Sequence, residues 1–271
     1  MRCVYMSDLH LEGQDFAWPM PEGDVLILAG DTCHAACLSP ARTDPYAARQ
    51  RDRVLRLVEA AGRNFRHVLA IAGNHEHYDG VFEDTAGIMR AHLPGVRVLD
   101  NDSVEIGGVA FFGTTLWSDF EGRSRDAMEA ARKGMGEYFF CRSRDRDDDG
   151  GERLVKLRPV VTLGAHDNAL GALRGHLAAR QGTPTVVISH HAPSRKGLNA
   201  LHMGNGLDGA YASALDQWVA GLESVPVWVH GHTHVVAAYR IGGCQAVANC
   251  RGFSGREAGG RGFKSDRSFE V

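Results

Sequence analysis

Three histidines stand at alternate positions in the stretch VWVHGHTHVV, Val227 to Val236, inside a β-branched run. Alternation puts residues on one face of a strand, and a core strand has little use for three imidazoles pointing the same way. Four other apolar runs break into side chains of similar chemistry: CVYM into SDLH, DVLILAG into DTCH, HVLAIAG into NHEH and TPTVVIS into HHAP. The groups on offer are carboxylate, amide oxygen and imidazole, with no paired thiolates. Such a set suits Mn, Fe, Co or Zn in a reactive site better than a cysteine-type structural zinc site.

The elements that must position these groups follow from the pattern around them. Each of the five runs is short, rich in β-formers and closed by Gly or a polar turn, which predicts a buried strand. Between them lie apolar residues at helical spacing: Val54, Leu55, Leu57, Val58 and Ala61, then Ala169, Leu170, Leu173 and Leu177, then Leu215, Trp218, Val219 and Leu222. Strands alternating with helices predict an α/β layered fold. Ligands in such folds gather beyond the carboxyl ends of the strands, so one site could collect all five polar groups.

Taken in order, SDLH, AGDT, GNHE, SHHAP and HGHTH resemble the signature of the calcineurin-like metallophosphoesterases. The resemblance runs from Asp8 to His234 and points to a small bacterial branch. It implies a sandwich of two mixed β-sheets flanked by helices, with the metal site at the strand carboxyl ends. It also implies a ligand set: Asp8, His10 and His234 for a first metal, Asn74, His190 and His232 for a second, and Asp31 as the bridge. His230 is then the last residue of its strand and structural. His191 is left to support a ligand or to face the substrate. His75 matches the family's proton donor to the leaving oxygen, with Glu76 as a carboxylate that could orient it. The implied chemistry is hydrolysis of a phosphate ester by a hydroxide held between two divalent metals.

Departures from the family narrow the reading. Its protein Ser/Thr phosphatases carry GDxVDRG where this chain has GDTCHAA, and its repair nucleases carry an added DNA-binding cap that nothing here clearly supplies. GTTLWSDF (Gly113 to Phe120) and NCRGF (Asn249 to Phe253) resemble secondary blocks of the small branch, with Cys250 in place of a usual Pro. Arg251 could reach a phosphate oxygen bidentately or tie the C-terminal loop to the core.

Bulk properties set the remaining bounds. The chain has 271 residues, 44% hydrophobic and 23% charged, with a net charge of −3. A single metallophosphoesterase domain, 1–271, with a charged insert around 142–158, accommodates that length. The weak negative charge gives no broad reason to expect nucleic acid or an anionic membrane, and no apolar run is long enough to span a bilayer. Six scattered cysteines suit reduced thiols and a cytoplasmic location. In the insert, Asp145, Asp147, Asp149 and Gly150 imitate a calcium loop, but Lys156 stands where a bidentate Glu is needed, so the segment is expected to be a solvated loop, a lid or a specificity element. Cys33 and Cys37 could hold a soft metal if helical. The tail RGFSGREAGGRGFKSDR has an RNA-binding look but is expected to pack near the site. The expected activity is that of a phosphodiesterase or small-molecule phosphatase acting on a small phosphorylated substrate such as a nucleotide, with two divalent ions (Mn, Fe or Zn). Its rivals are a nuclease on single strands or ends, and a non-catalytic scaffold.

Overall fold

A computed structural model describes residues 1–146, 150–200, 203–253 and 262–271. Among these residues, thirteen strands follow one another along the chain: β1 (Arg2–Met6), β2 (Gly23–Ala29), β3 (Phe65–Ile71), β4 (Val96–Val98), β5 (Asp102–Ile106), β6 (Val109–Thr114), β7 (Arg142–Arg146), β8 (Glu152–Lys156), β9 (Thr185–Ser189), β10 (Val227–His230), β11 (Val236–Ile241), β12 (Cys244–Asn249) and β13 (Ser268–Glu270). They build a five-stranded sheet in the order β13-β1-β2-β3-β4 and a six-stranded sheet in the order β11-β12-β10-β9-β6-β5. Both are mixed. The first is parallel except at β13, and the second is parallel from β12 through β6 with antiparallel edges.

Strand period explains the two cores of the first sheet. Cys3 and Tyr5 of β1, with Val25, Ile27 and Ala29 of β2, face the second sheet and meet Phe111, Val186, Ile188, Val229 and Val247. The alternate residues Val4, Met6, Leu26 and Leu28 face outward. There they pack against the helix Pro45–Asn64, whose Ala47, Gln50, Val54, Leu57, Val58 and Ala61 form one buried stripe. Asp44 caps that helix by accepting from the Ala47 N–H at 2.9 Å, and Pro45 starts it. Each fully buried aliphatic of this kind contributes about 1.5–3 kcal/mol.

The expected helix faces hold with two corrections. Leu55 lies outside the stripe and is 38% exposed, because position 55 falls about 100° round the helix from 54. The third helix spans only Asp216–Ala220, ended by Gly221. Its flanking Leu215 and Leu222 still pack on the outer face of the second sheet, beside Ala169, Leu170 and Leu173 of the helix Pro159–Ala179.

The charged segment is a third, two-stranded sheet and not the expected solvated loop: β7 and β8 pair antiparallel, Arg142 with Lys156 through Arg146 with Glu152. Its composition hid alternation across the hairpin, in which Arg144 pairs with Glu152 of the facing strand and with Asp84. Asp147 and Asp149 of the calcium-like run lie outside the described residues, as do residues 254–261 of the Arg-Gly-Phe tail. Cys33 and Cys37 are buried thiols, Cys37 in a short helical turn at Ala35–Leu38. Burial lifts Cys37 to about 11 and pushes Cys33 well above the usual thiol range, which disfavours the thiolate a soft metal needs. No helix among the described residues is long and apolar enough to cross a membrane.

Candidate metal centre

The parallel strands β1, β2, β3, β9 and β10 release their chains on one edge of the sandwich, and the loops that follow carry the seven expected ligands. Five of the seven, Asp8, His10, Asp31, His232 and His234, have positive φ, between 48° and 66°. Non-glycine residues adopt this left-handed conformation at a cost of about 1–3 kcal/mol each, and do so mainly where surrounding structure enforces it. Here the enforcement is visible. Asp8 N donates to Gly30 O at 3.0 Å, His10 N to Asp31 O at 3.0 Å, and Gly231 N to His190 O at 2.9 Å, zipping adjacent loops together. The motif glycines make this approach possible. A Cβ on Gly73 would strike the Asp31 carboxylate and come within 2.8 Å of the His190 ring, and one on Gly30 would lie 2.8 Å from the Gly73 backbone.

The side chains converge as two groups. In the first, His234 Nε2 lies 3.3 Å from Asp8 Oδ1 and 3.0 Å from His10 Nε2, and His10 Nε2 is 4.0 Å from Asp31 Oδ2. In the second, His190 Nε2 lies 3.3 Å from Asp31 Oδ1 and 3.1 Å from Asn74 Oδ1, and His232 stands alongside. The atoms of Asp8, His10, Asp31 and His234, and separately those of Asp31, His190 and His232, lie within 4.8 Å of one another. Asp31 belongs to both groups, one oxygen towards each.

Several features prepare these atoms for a cation. His190 Nδ1 is held by the Ala29 carbonyl at 2.9 Å, which turns Nε2 inward. The Asn74 amide nitrogen approaches Glu137 Oε2 at 3.3 Å and the Tyr78 hydroxyl at 3.4 Å, which aims its oxygen at the centre. His232 Nε2 is buried with no hydrogen-bond partner. Asp8 and Asp31 are fully buried. Burial opposes their ionisation, but the neighbouring imidazoles outweigh it and hold both well below the usual carboxylate range. Two buried carboxylates in contact with convergent imidazole nitrogens form a donor set that fits divalent cations.

His75 sits at the mouth. Its Nε2 is 3.9 Å from Asp31 Oδ2, its ring stacks on Tyr78 at 4.2 Å, and its backbone N–H donates to Asp31 Oδ1 at 2.8 Å. Burial pulls the imidazole pKa down, but the charges of Asp31 and Glu12 outweigh it and raise it to about 9. Phe253 stacks on His10 at 3.9 Å and Tyr211 on His232 at 4.6 Å. His75, Phe253, Tyr211 and His232 border a cleft of about 330 Å³, lined also by Met135, Leu198, Met203 and Asp208. Among its described lining residues there is no lysine or arginine.

Three residues singled out in the sequence do not line the cleft. Glu76 does not orient His75. Its carboxylate accepts from the backbone N–H groups of Asp31, Thr32, Cys33 and Gly73 at 2.7–3.3 Å, and burial beside Asp31 raises its pKa to about 7. The partner of His75 is Glu12, whose Oε1 lies 2.9 Å from Nδ1. Arg251 does not reach the cleft. Its guanidinium donates to the Leu9 and Asp15 carbonyls at 3.1 and 2.6 Å and lies over Trp18, so it ties the C-terminal loop to the loop that carries His10. His191 is buried behind His232, its ring 4.2 Å away and its Nδ1 on the Thr115 carbonyl, and it does not line the cleft. His230 is structural as expected, bonded to Gly231 O and the Tyr239 hydroxyl. Sequence reasoning missed Glu12 and Glu137. Glu12 left a trace, two residues after His10 in DLHLE; Glu137 left none, being brought in by a distant turn.

The sequence profile of the calcineurin-like phosphoesterases matches residues 1–236. Protein L509 of Acanthamoeba polyphaga mimivirus is 22% identical over 203 residues, covering 69% of this chain and 68% of its own. Among solved structures, the phosphopantetheinyl hydrolase PptH of Mycobacterium tuberculosis superposes with a TM-score of 0.61 at 16% identity, over 95% of this chain and 93% of its own. TT1561 of Thermus thermophilus gives 0.45 at 12% identity, over 92% and 88%. With the profile matching most of the chain and the two mixed sheets in place, this chain belongs to the calcineurin-like phosphoesterase family, enzymes that hydrolyse phosphoric esters with the help of metal ions.

Proposed function

We propose that the chain is a dinuclear metal phosphoesterase for a small substrate bearing one reacting phosphate ester. Asp8, His10 and His234 would hold one divalent ion, Asn74, His190 and His232 the other, and Asp31 both. The observation that carries this reading is that one buried carboxylate, Asp31, is a member of both ligand groups. Bound cations supply Lewis-acid stabilisation of phosphoryl oxygens and an acidified water. Manganese, iron and zinc all accept such oxygen and imidazole donors.

The protein's own residues do the rest. Asp8 and Asp31 bring negative charge into a buried site and so offset the repulsion between two cations. His75 presents Nε2 at the mouth, where a protonated ring can hand its proton to the leaving oxygen. Glu12 accepts from Nδ1 and stabilises that charge. Phe253 and Tyr211 cover the ligand rings and offer apolar surface to the alcohol part of the ester. The cleft volume suits a small molecule, and its described walls offer no cationic track for a nucleic acid backbone. This favours a small ester over the nuclease reading.

The test is turnover of bis(4-nitrophenyl) phosphate and 4-nitrophenyl phosphate before and after chelator dialysis, with metal content measured on the same samples. Two ions per chain and activity restored by Mn²⁺ are expected. Full activity in chelated, metal-free protein would overturn the proposal.

A further inference from the structure

We propose that Glu12 is a shared positioning residue: one carboxylate oxygen sets the orientation of both the metal-side His10 and the cleft-side His75. The inference rests on the dinuclear reading and extends it to a residue that no ligand motif contains.

The geometry is specific. Glu12 Oε1 lies 2.8 Å from His10 Nδ1 and 2.9 Å from His75 Nδ1. The two rings meet edge to face with centroids 4.5 Å apart. Their other nitrogens both turn towards Asp31 Oδ2, His10 Nε2 at 4.0 Å and His75 Nε2 at 3.9 Å. A carboxylate oxygen only accepts, so both Nδ1 atoms must donate to it. That fixes the proton of each ring on Nδ1 whenever the ring is neutral. His10 is thereby left with a free lone pair on Nε2, the form a metal requires. His75 can carry a second proton only on Nε2, the atom that faces the cleft.

Glu12 is itself held in place. Its side chain is 9% exposed. Arg53 Nη1 donates to the Leu11 carbonyl at 2.9 Å, and Gln14 Nε2 donates to the carbonyls of Leu9 and Gly252 at 2.9 and 2.8 Å. Arg251 grips the same loop at Leu9 and Asp15. Three side chains anchoring a loop this short give a carboxylate the rigidity it needs to aim two rings at once.

The experiment compares the wild type, Glu12→Ala, Glu12→Asp and His75→Ala. In metal-free protein, ¹⁵N chemical shifts of the histidine rings report tautomers directly. Mn²⁺ titration reports the two sites, and turnover of an alkyl and a nitrophenyl ester of the same phosphodiester reports proton donation. In the wild type, His10 and His75 are expected as Nδ1–H tautomers when neutral. Glu12→Ala, which removes the shared acceptor, should disturb both rings. It should weaken the tighter Mn²⁺ step by about 10–100-fold and slow the alkyl ester more than the nitrophenyl ester. His75→Ala should show the leaving-group effect alone, with both metals kept. Glu12→Asp should recover one of the two functions at most, because the shorter side chain cannot span both rings. Unchanged tautomers, Mn²⁺ affinity and leaving-group ratio in a folded Glu12→Ala would overturn the proposal. If the wild type neither binds metal nor turns over either ester, the dinuclear reading falls, and the tautomer measurement still decides the role of Glu12.

Discussion

The backbone N–H of Asp31 donates to Glu76 Oε2 at 2.8 Å, so the residue shared by both ligand groups is held by a carboxylate from the next loop. The same carboxylate accepts from Thr32 at 2.7 Å, Cys33 at 3.3 Å and Gly73 at 2.7 Å. Glu76 thus ties together the loops after β2 and β3, and its place beside His75 in the chain is incidental to proton transfer.

Glu76→Ala should therefore act as a stability variant. It strands four buried amides, and each unsatisfied donor costs about 1–3 kcal/mol. A loss of at least about 3 kcal/mol in urea unfolding is expected, accompanied by loss of metal from both sites. A stable, metal-loaded Glu76→Ala with only a leaving-group defect would restore the orienting role to Glu76.

Asp31→Asn should empty both metal sites together. Neutralising the shared carboxylate removes charge from each group at once, whereas His234→Ala touches the first group only. Metal analysis of the two variants separates the cases. An Asp31→Asn protein that keeps two ions and near-full turnover would refute the bridge.

His75→Ala should keep its metals and lose turnover by about 10²–10⁴-fold, the range for removal of a general acid. The loss should be greatest for an alkoxide leaving group and least for nitrophenolate, which departs with little help. Equal losses on both esters, with metals retained, would make His75 a phosphate-positioning group.

Arg251→Ala should raise KM little and lower stability instead, by about 1.5–3 kcal/mol for each charged hydrogen bond lost. The reason is that its donors are spent on the carbonyls of Leu9 and Asp15. Arg251→Lys should recover only part of that stability, since one ammonium cannot reproduce the planar fork. A large KM effect in a fully stable variant would return Arg251 to the substrate.

Much of this protein was legible along the chain. Strand ends, motif glycines and the residues after them are local features: an apolar run, a close backbone crossing, then a polar side chain. Local order therefore predicted β1, β2, β3, β9 and β10 and an α/β layered fold, and the motifs' resemblance to the family implied the two mixed sheets. What local order could not rank was neighbours in space. Glu76 follows His75 directly, yet it turns away into the amides around Asp31. Glu12, 63 residues distant, takes its place, because β1 and β3 flank β2 and their loops close over it. Arg251 could by type serve a phosphate or brace the C-terminal loop, and packing against Leu9 and Asp15 made it a strut. The hairpin β7–β8 was hidden for the reverse reason, since alternating charges read as solvation until a facing strand supplies their partners. Chain order determined which groups this protein has for chemistry. Sheet order, which sets adjacent loops on one edge, decided which of them touch.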